Sequence, residues 1–360
     1  MRQACLWAID GVKWRSYENI LWGSLPQDEN TPVISQSLVN AWCQNPINVY
    51  YRYIKGLSPK ETPEHIIRGL WIHECLEALY KGETWQAVHN RWLGSRVSPE
   101  TSLEIFRAVR GYEYYYDTEE WEVLAVELPL EAKLPNGFKF VGKLDALVKT
   151  ADGRRLIVDH KTTKRIKPLE KQLVQIQAPM YMWLCAQNGL EVDGFVWDYL
   201  LTPGPKPPKF LAGGSRLAAR QPNTDYPTIS EEVARAKYVF GEDFTPNPKH
   251  MAEVERMLEF HKEVRKSGKH PEASNLYHRR FVPVSDQWVD ATVRRVTKTA
   301  QDMWDYDWSD EGTIQMSPDA YFATGGDYID LITSYLMTGS SEMVALQRYT
   351  KSDPMERYKS

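Results

Sequence analysis

The chain has 360 residues, of which 42% are hydrophobic, so it can bury a sizeable core in one large domain or two smaller ones. A formal net charge of −4 argues against a protein that coats nucleic acid non-specifically. The sequence contains no stretch of eighteen apolar residues, so no membrane span is predicted. The N-terminal twenty residues lack the apolar segment of a signal peptide. The four cysteines lie far apart and form no CxxC pair, which favours neither a disulfide framework nor a zinc ribbon. We therefore expect a cytoplasmic protein without membrane contacts.

Residues 1–120 predict an N-terminal helical region. Residues 34–57 have helix-spaced apolar positions interrupted by a proline. A second helix is predicted from about Pro63 to Tyr80, because proline suits a first helical turn. His73 shares a face of that helix with acidic residues three or four positions away. A further helix, rich in aromatic residues, is predicted at 98–116.

Residues 121–202 predict the core of the fold. Alternating apolar residues indicate a hairpin within 121–150 and then the strand RRLIVDHKTT, which follows a turn at Ala151-Asp152-Gly153. A helix from about 169 to 188 and the strand VDGFVWDYLLT come next. The order β-β-β-α-β predicts an α/β fold with a mixed central sheet flanked by helices.

Two of these strands each bring an aspartate to the same end of the hairpin, Asp145 on one and Asp159 on the other. Lys161 follows Asp159 by two residues and therefore shares its face of an extended chain. Buried charges need partners, and a divalent metal ion is a partner that tolerates two neighbouring carboxylates. The sequence therefore predicts a metal site at this end of the hairpin.

The charge around this site is strongly basic. Between Lys133 and Lys171 there are eleven Lys and Arg residues against four Asp and Glu, and two of those acids are the predicted metal ligands. A basic rim around an acidic metal pocket suits a polyanionic substrate. The alternative is that the lysines simply solvate the hairpin.

The ordered set of motifs resembles the RecB-like exonuclease branch of the PD-(D/E)XK nucleases. The set consists of a histidine in GLWIHECLEALY, then GKLD ending at Asp145, then DHK starting at Asp159, then QAPMY from Gln177 to Tyr181. A DxK triplet alone occurs often by chance, whereas the four motifs in this order are specific. The resemblance spans most of residues 33–200 and implies a restriction-endonuclease-like core with helical N- and C-terminal additions.

The resemblance also implies a Mg²⁺- or Mn²⁺-dependent deoxyribonuclease that acts as an exonuclease. Its metal ligands would be His73, Asp145, Asp159 and the main-chain carbonyl of His160. An imidazole is a softer ligand than a carboxylate and would suit Mn²⁺ as well as Mg²⁺. Lys161 would position or help deprotonate the attacking water, or stabilise the phosphorane, and these roles stay open.

Gln177 and Tyr181 complete the catalytic set implied by the resemblance, in which they order the site and touch the DNA backbone or a terminal base. Taken alone, two such residues four apart on a helix would be surface and packing residues. Lys143, Lys164 and Arg165 are expected to join them in binding DNA.

The remainder of the chain carries fewer signals. Residues 203–228 are rich in Pro, Gly and basic residues and predict an extended excursion that either contacts DNA or serves as a passive linker. Residues 229–360 predict a C-terminal helical region packed on the core, with helical patterns at 230–240, 248–268 and 285–305. Relatives that hold an iron–sulfur cluster place three cysteines in this region, but no cysteine follows Cys185, so we expect no such cluster.

Three functions remain open. The first is an exonuclease of recombination, repair or phage DNA metabolism, for which a single-strand-annealing or recombination protein is an expected partner. The second is an endonuclease of defence or restriction type, although no helix-turn-helix or zinc module is recognisable in the sequence. The third is a catalytically silent DNA-binding protein, which would be expected to have lost an acidic ligand or the lysine.

Overall fold

The computed structural model describes residues 31–94, 97–117, 121–207, 223–231, 276–317 and 328–358, with a few single positions between 234 and 262. The strands are β1 (Val33–Ser35), β2 (Leu57–Pro59), β3 (Glu122–Lys133), β4 (Lys139–Lys149), β5 (Arg155–Thr163), β6 (Gly194–Leu201), β7 (Tyr277–Val282) and β8 (Tyr349–Lys351). The helices are α1 (Gln36–Gln44), α2 (Pro46–Val49), α3 (Glu64–Tyr80), α4 (Trp85–Trp92), α5 (Pro99–Tyr116), α6 (Leu169–Leu173), α7 (Gln177–Gln187), α8 (Asp286–Asp305), α9 (Ile329–Thr338) and α10 (Glu342–Arg348). A π-helical turn, Tyr50–Ile54, follows α2 directly.

Six strands form one mixed sheet, in which β1, β4, β5, β6 and β7 pair in that order and β3 also pairs with β4. β1 and β5 pair with different parts of one edge of β4, and β3 pairs with its opposite edge. The pairs β3–β4, β4–β5 and β6–β7 are antiparallel, whereas β1–β4 and β5–β6 are parallel. β2 and β8 form a separate antiparallel ribbon that joins the N-terminal segment to the C-terminal one. The mixed α/β architecture predicted from the sequence is confirmed.

Helices cover both faces of the sheet. On one face α1, α7 and α8 pack on a large apolar cluster that includes Phe140, Leu144 and Trp197. On the other face α3, α4 and α5 enclose a second cluster around Trp71 and Tyr112. Among the described residues, no helix is long and apolar enough to cross a membrane.

The predicted helices α3, α5 and α8 are observed close to their expected bounds. The hydroxyl of Ser98 accepts a hydrogen bond from the Thr101 N–H at the start of α5, and Ser285 does the same for Trp288 at the start of α8. Such caps satisfy the free N–H groups of a first helical turn. Most of the patterns at 230–240 and 248–268, and residues 208–222 of the predicted excursion, lie outside the described residues.

The single helix predicted for residues 169–188 is wrong. The chain instead forms α6 and α7, separated at residues 174–176. Pro179 explains the break, because a proline inside a helix clashes with the carbonyl four residues earlier but is tolerated in a first turn. With α7 beginning at Gln177, Pro179 falls in that first turn.

Candidate active site

Two strands separate at the predicted metal site. The β4–β5 ladder ends at the pair Ala146–Val158, and beyond it Asp145 and Asp159 are the next residues on the two strands. The His160 N–H, which lies past the end of this ladder, donates to Asp145 Oδ2 at 2.8 Å. The Asp145 carboxylate therefore accepts the N–H that a neighbouring strand would otherwise bind. This hydrogen bond ties Asp145 of β4 to β5, the strand that carries Asp159.

The neighbouring strand β3 is irregular at the same level. Glu127 faces this position between the regular pairs Val126–Ala146 and Leu128–Leu144, and its φ is 53°. A left-handed backbone at a non-glycine residue costs about 1–2 kcal/mol and persists only where the surroundings enforce it. Its carboxylate forms an ion pair with the Lys143 ammonium at the edge of the site. Burial raises the pKa of Glu127, while Lys143 opposes the rise.

Asp159 is the most enclosed member of the site, with a side chain only 2% exposed. The Lys161 ammonium contacts Oδ2, and the side-chain amide of Gln177 donates to Oδ1. Burial raises the pKa of Asp159 to about 6 against the opposing charge of Lys161, and the Asp145 carboxylate adds to the rise. The enclosed position of Asp159 therefore disfavours its charged form even beside Lys161.

His73 lies across the opening on α3. Its Nδ1 is 3.8 Å from Asp145 Oδ2. Burial lowers the pKa of His73 to about 4, helped by the nearby His160 and Lys161. The imidazole is therefore neutral at physiological pH, which is the state that can ligate a metal ion.

Gln177 and Tyr181 lie on the first turns of α7, as predicted, four residues apart. The side-chain oxygen Oε1 of Gln177 accepts a hydrogen bond from the side-chain amide of Gln36 on α1 at 3.2 Å. The NH₂ group of Gln177 is therefore turned toward Asp159. Tyr181 is buried and packs across Gly142 of β4. A Cβ at Gly142 would lie 2.7 Å from Leu184 Cδ1 and 2.9 Å from Tyr181 Cε1. The glycine of GKLD and the tyrosine of QAPMY are therefore parts of one packing arrangement.

These residues line one cleft of about 910 Å³. The structure thus brings together the predicted residues His73, Asp145, Asp159, Lys161, Gln177, Tyr181, Lys143 and Arg165. Lys164 is exposed and is not part of the cleft wall. The side chain of His160 is buried and lies 3.4 Å from Asp198, on the opposite face of β5 from Asp159, so its main chain rather than its imidazole faces the two carboxylates.

Lys167 and Gln36 are among the cleft residues that sequence reasoning missed. Lys167 lines the cleft and belongs to the basic stretch from Lys133 to Lys171. The sequence therefore showed its charge but not that its side chain faces the cleft. Gln36, which orients Gln177, has no sequence signal of its own, because it reaches the site only through the pairing of β1 with β4.

The donor set fits a divalent cation. Among the described residues, no three His, Cys, Asp or Glu side chains lie close enough together to form a finished metal shell by themselves. Two carboxylates that repel one another and a neutral imidazole nevertheless face the same cleft. Oxygen donors of this kind suit Mg²⁺, and the added nitrogen suits Mn²⁺.

The family model of the PD-(D/E)XK nuclease superfamily matches residues 33–259, which include every element of this cleft from β1 to α7. The chain belongs to the PD-(D/E)XK nuclease superfamily. The mixed sheet with helices on both faces is accordingly the restriction-endonuclease-like core of that superfamily.

Comparison with curated proteins by sequence gives no significant match. Among solved structures, a provisionally named exonuclease from Eubacterium rectale is similar at 11% identity and a TM-score of 0.41, with 76% of this chain and 82% of that one covered. The protein SSO0001 is similar at 14% identity and a TM-score of 0.24, with 63% and 82% covered. Likenesses of this strength do not identify a substrate, so the assignment depends on the family match.

Proposed function

We propose that this superfamily member is a Mg²⁺- or Mn²⁺-dependent deoxyribonuclease that degrades DNA from free ends. The observation that carries the proposal is the meeting of His73, Asp145, Asp159 and Lys161 at the point where β4 and β5 separate. A silent relative would have lost one of these groups, and this chain keeps all of them in one cleft.

A bound divalent ion would lower the pKa of water and neutralise charge on the reacting phosphate. His73, Asp145 and Asp159 would hold such an ion, with the His160 carbonyl as a further candidate ligand. Lys161 lies beside Asp159, and its ammonium also lies 5.1 Å from the centre of the Trp197 ring, so its direction is fixed from two sides. From there it would orient the attacking water or stabilise the charged phosphorane.

The substrate contacts follow from the remaining cleft residues. Lys143, Arg165 and Lys167 place positive charge around the carboxylates, which suits a DNA backbone. Gln177 has its amide committed to Asp159 and Gln36, so its role in this proposal is to order the carboxylate rather than to contact DNA. Tyr181, one turn later on α7, packs this helix against Gly142 of β4.

Restriction to free ends is supported by the walls of the cleft. Side chains of α1 and α3 line the cleft, and so does Tyr358, near the C-terminal end of the described chain. Segments that precede and follow the nuclease core in the sequence thus both contribute side chains to the walls of the cleft. A strand end can enter such an enclosure more readily than an uninterrupted duplex.

The test is time-resolved digestion of end-labelled linear DNA and covalently closed circles with Mg²⁺ or Mn²⁺. We expect linear DNA to be reduced to short products while circles stay intact at the same enzyme concentration. Binding should weaken with salt, with a log–log slope of about 0.7 to 0.9 for each phosphate neutralised. Equal rates on both substrates would make the protein an endonuclease. No hydrolysis of either DNA with either metal would refute the proposal altogether.

The biological setting in this proposal is recombination, repair or phage DNA metabolism. Resection of one strand exposes single-stranded DNA, which a single-strand-annealing protein would bind. Co-purification of such a protein with the nuclease, or stimulation of digestion by it, would test the partnership.

A further inference from the structure

A second group of charged side chains lies directly behind the cleft, on the opposite face of the sheet. Asp198 of β6 is fully buried, and its partner in the parallel register is His160 of β5. Its Oδ2 accepts from the Tyr112 hydroxyl and from Arg279 Nε at 3.3 Å, and it lies 3.4 Å from His160 Nδ1. One carboxylate therefore joins α5, β5 and β7.

Arg279 is as firmly held as the aspartate. Its guanidinium lies 3.7 Å from the centre of the Tyr116 ring and 3.9 Å from that of Trp121. The same guanidinium donates to the hydroxyls of Tyr80 and Tyr112 at 3.2 Å and 3.0 Å. Five side chains thus form one connected polar network: Tyr80, Tyr112, His160, Asp198 and Arg279.

Stability alone does not account for this network. Burying an ion pair costs desolvation, and well-packed apolar residues of similar volume are often as stable or more so. Although burial works against it, the neighbouring Arg279 guanidinium and His160 imidazole hold the pKa of Asp198 below its usual value, so the carboxylate stays charged in the core. A buried network of hydrogen-bonded polar groups makes the surrounding core rigid and holds its side chains in one arrangement.

The geometry it fixes is that of the cleft. His160 stands between Asp159 and Lys161 in the sequence, and its N–H holds Asp145. Tyr80 packs its ring against His160, with centroids 4.9 Å apart, and lies on α3 two turns after His73. The network therefore includes residues of α3 and β5, which carry His73 and Asp159, and the main-chain N–H of His160 connects it to Asp145 of β4.

We propose that Tyr112, Asp198 and Arg279 are positioning residues, which act through His160 and Tyr80 to hold His73, Asp145 and Asp159 at metal-binding spacing. The inference depends on the proposed nuclease function. Groups behind metal ligands that orient them typically contribute 10- to 100-fold in metal affinity or activity.

The experiment compares three full-length variants with the wild type by calorimetric Mn²⁺ titration of the metal-free protein and by single-turnover hydrolysis of linear DNA. Asp198→Asn keeps the shape but removes the charge, and Tyr112→Phe removes only the hydroxyl. Tyr277→Phe is the matched control, because its buried hydroxyl bonds to Ala108 and Asp225, a tyrosine–aspartate pair that includes neither His160 nor Tyr80.

We expect Asp198→Asn and Tyr112→Phe to raise the Mn²⁺ dissociation constant at least tenfold and to slow the chemical step, with KM for DNA changed less than twofold. High Mn²⁺ should restore part of the rate. Tyr277→Phe should bind Mn²⁺ and cleave like the wild type. If Asp198→Asn does not fold, Tyr112→Phe decides the matter alone.

Two results would overturn the inference and leave the nuclease function standing. One is wild-type Mn²⁺ affinity and rate in folded Asp198→Asn or Tyr112→Phe. The other is an equal loss in Tyr277→Phe, which would show a general effect of disturbing the core. A wild-type protein that neither binds Mn²⁺ nor cleaves DNA would refute the proposed function itself.

Discussion

Replacing Asp159 by asparagine should abolish DNA cleavage and at the same time stabilise the metal-free protein. Asp159 is almost fully enclosed, and its pKa rises from 3.8 to about 6. A rise of this size corresponds to roughly 3 kcal/mol of unfavourable free energy in the charged form. Asparagine keeps the oxygen that accepts from Gln177 and removes the charge. The half-exposed Lys161 ammonium can then turn to water.

The sign of the pH dependence follows from the same shift. Because the pKa of this acid is higher in the folded than in the unfolded protein, the penalty is absent below about pH 4 and complete above about pH 6. The variant should therefore match the wild type near pH 4 and exceed it at pH 8. With an unfolding entropy of about 2.1 cal/mol/K per residue, 3 kcal/mol corresponds to a rise in Tm of about 4 °C.

The assay is thermal unfolding in EDTA at both pH values, alongside DNA hydrolysis. Added Mn²⁺ should raise the Tm of the wild type and leave that of the variant nearly unchanged. Asp152→Asn is a suitable control, since this carboxylate lies exposed in the β4–β5 turn. An Asp159→Asn protein that is less stable than the wild type at pH 8 would refute the argument that burial of the charge destabilises the fold, and so would a gain of the same size at pH 4. Retained cleavage would refute the site assignment.

Three further predictions concern neighbouring features. Gly142→Ala should cost about 1–3 kcal/mol in denaturant unfolding, because its Cβ would collide with Leu184 and Tyr181. The same substitution should cost less in a Leu184→Ala background, and an unchanged midpoint for Gly142→Ala alone would contradict the packing described. His73→Ala should reduce the Mn²⁺-supported rate about tenfold and the Mg²⁺-supported rate less, since an imidazole favours the softer ion, whereas wild-type rates with both metals would make His73 structural. The purified protein should be colourless and free of iron by elemental analysis, because no cysteine follows Cys185, and absorbance near 400 nm would show the opposite.

Much of the fold and the cleft follows from local sequence patterns. Alternating apolar residues located β3, β4 and β5, and the glycine at Gly153 marked the turn between the last two strands, where its φ is 88°. The spacing within DHK placed Asp159 and Lys161 on one face, because side chains of a strand alternate. These features depend on neighbours in the chain, so the sequence is sufficient to predict them.

The features that were missed depend on distant contacts. The three-residue strand β1 is too short to show a pattern, and it is defined only by its pairing with β4 more than 100 residues later. Glu127 has no local sequence signal for its positive φ, and it lies opposite Asp145, between the regular pairs Val126–Ala146 and Leu128–Leu144. The break before α7 was different, because Pro179 was a readable signal for it.

The order in which the chain is synthesised has a consequence for the buried pair Asp198–Arg279. All the predicted ligands precede Asp198, but Arg279 follows it by 81 residues. At 5–20 residues per second, a growing chain carries Asp198 for roughly 4–16 s before its cationic partner has been made. During that interval the edge of β6 that later receives β7 is unpaired. We expect nascent chains that end before residue 279 to depend on chaperones, and full-length chains to be released from them as β7 completes the sheet.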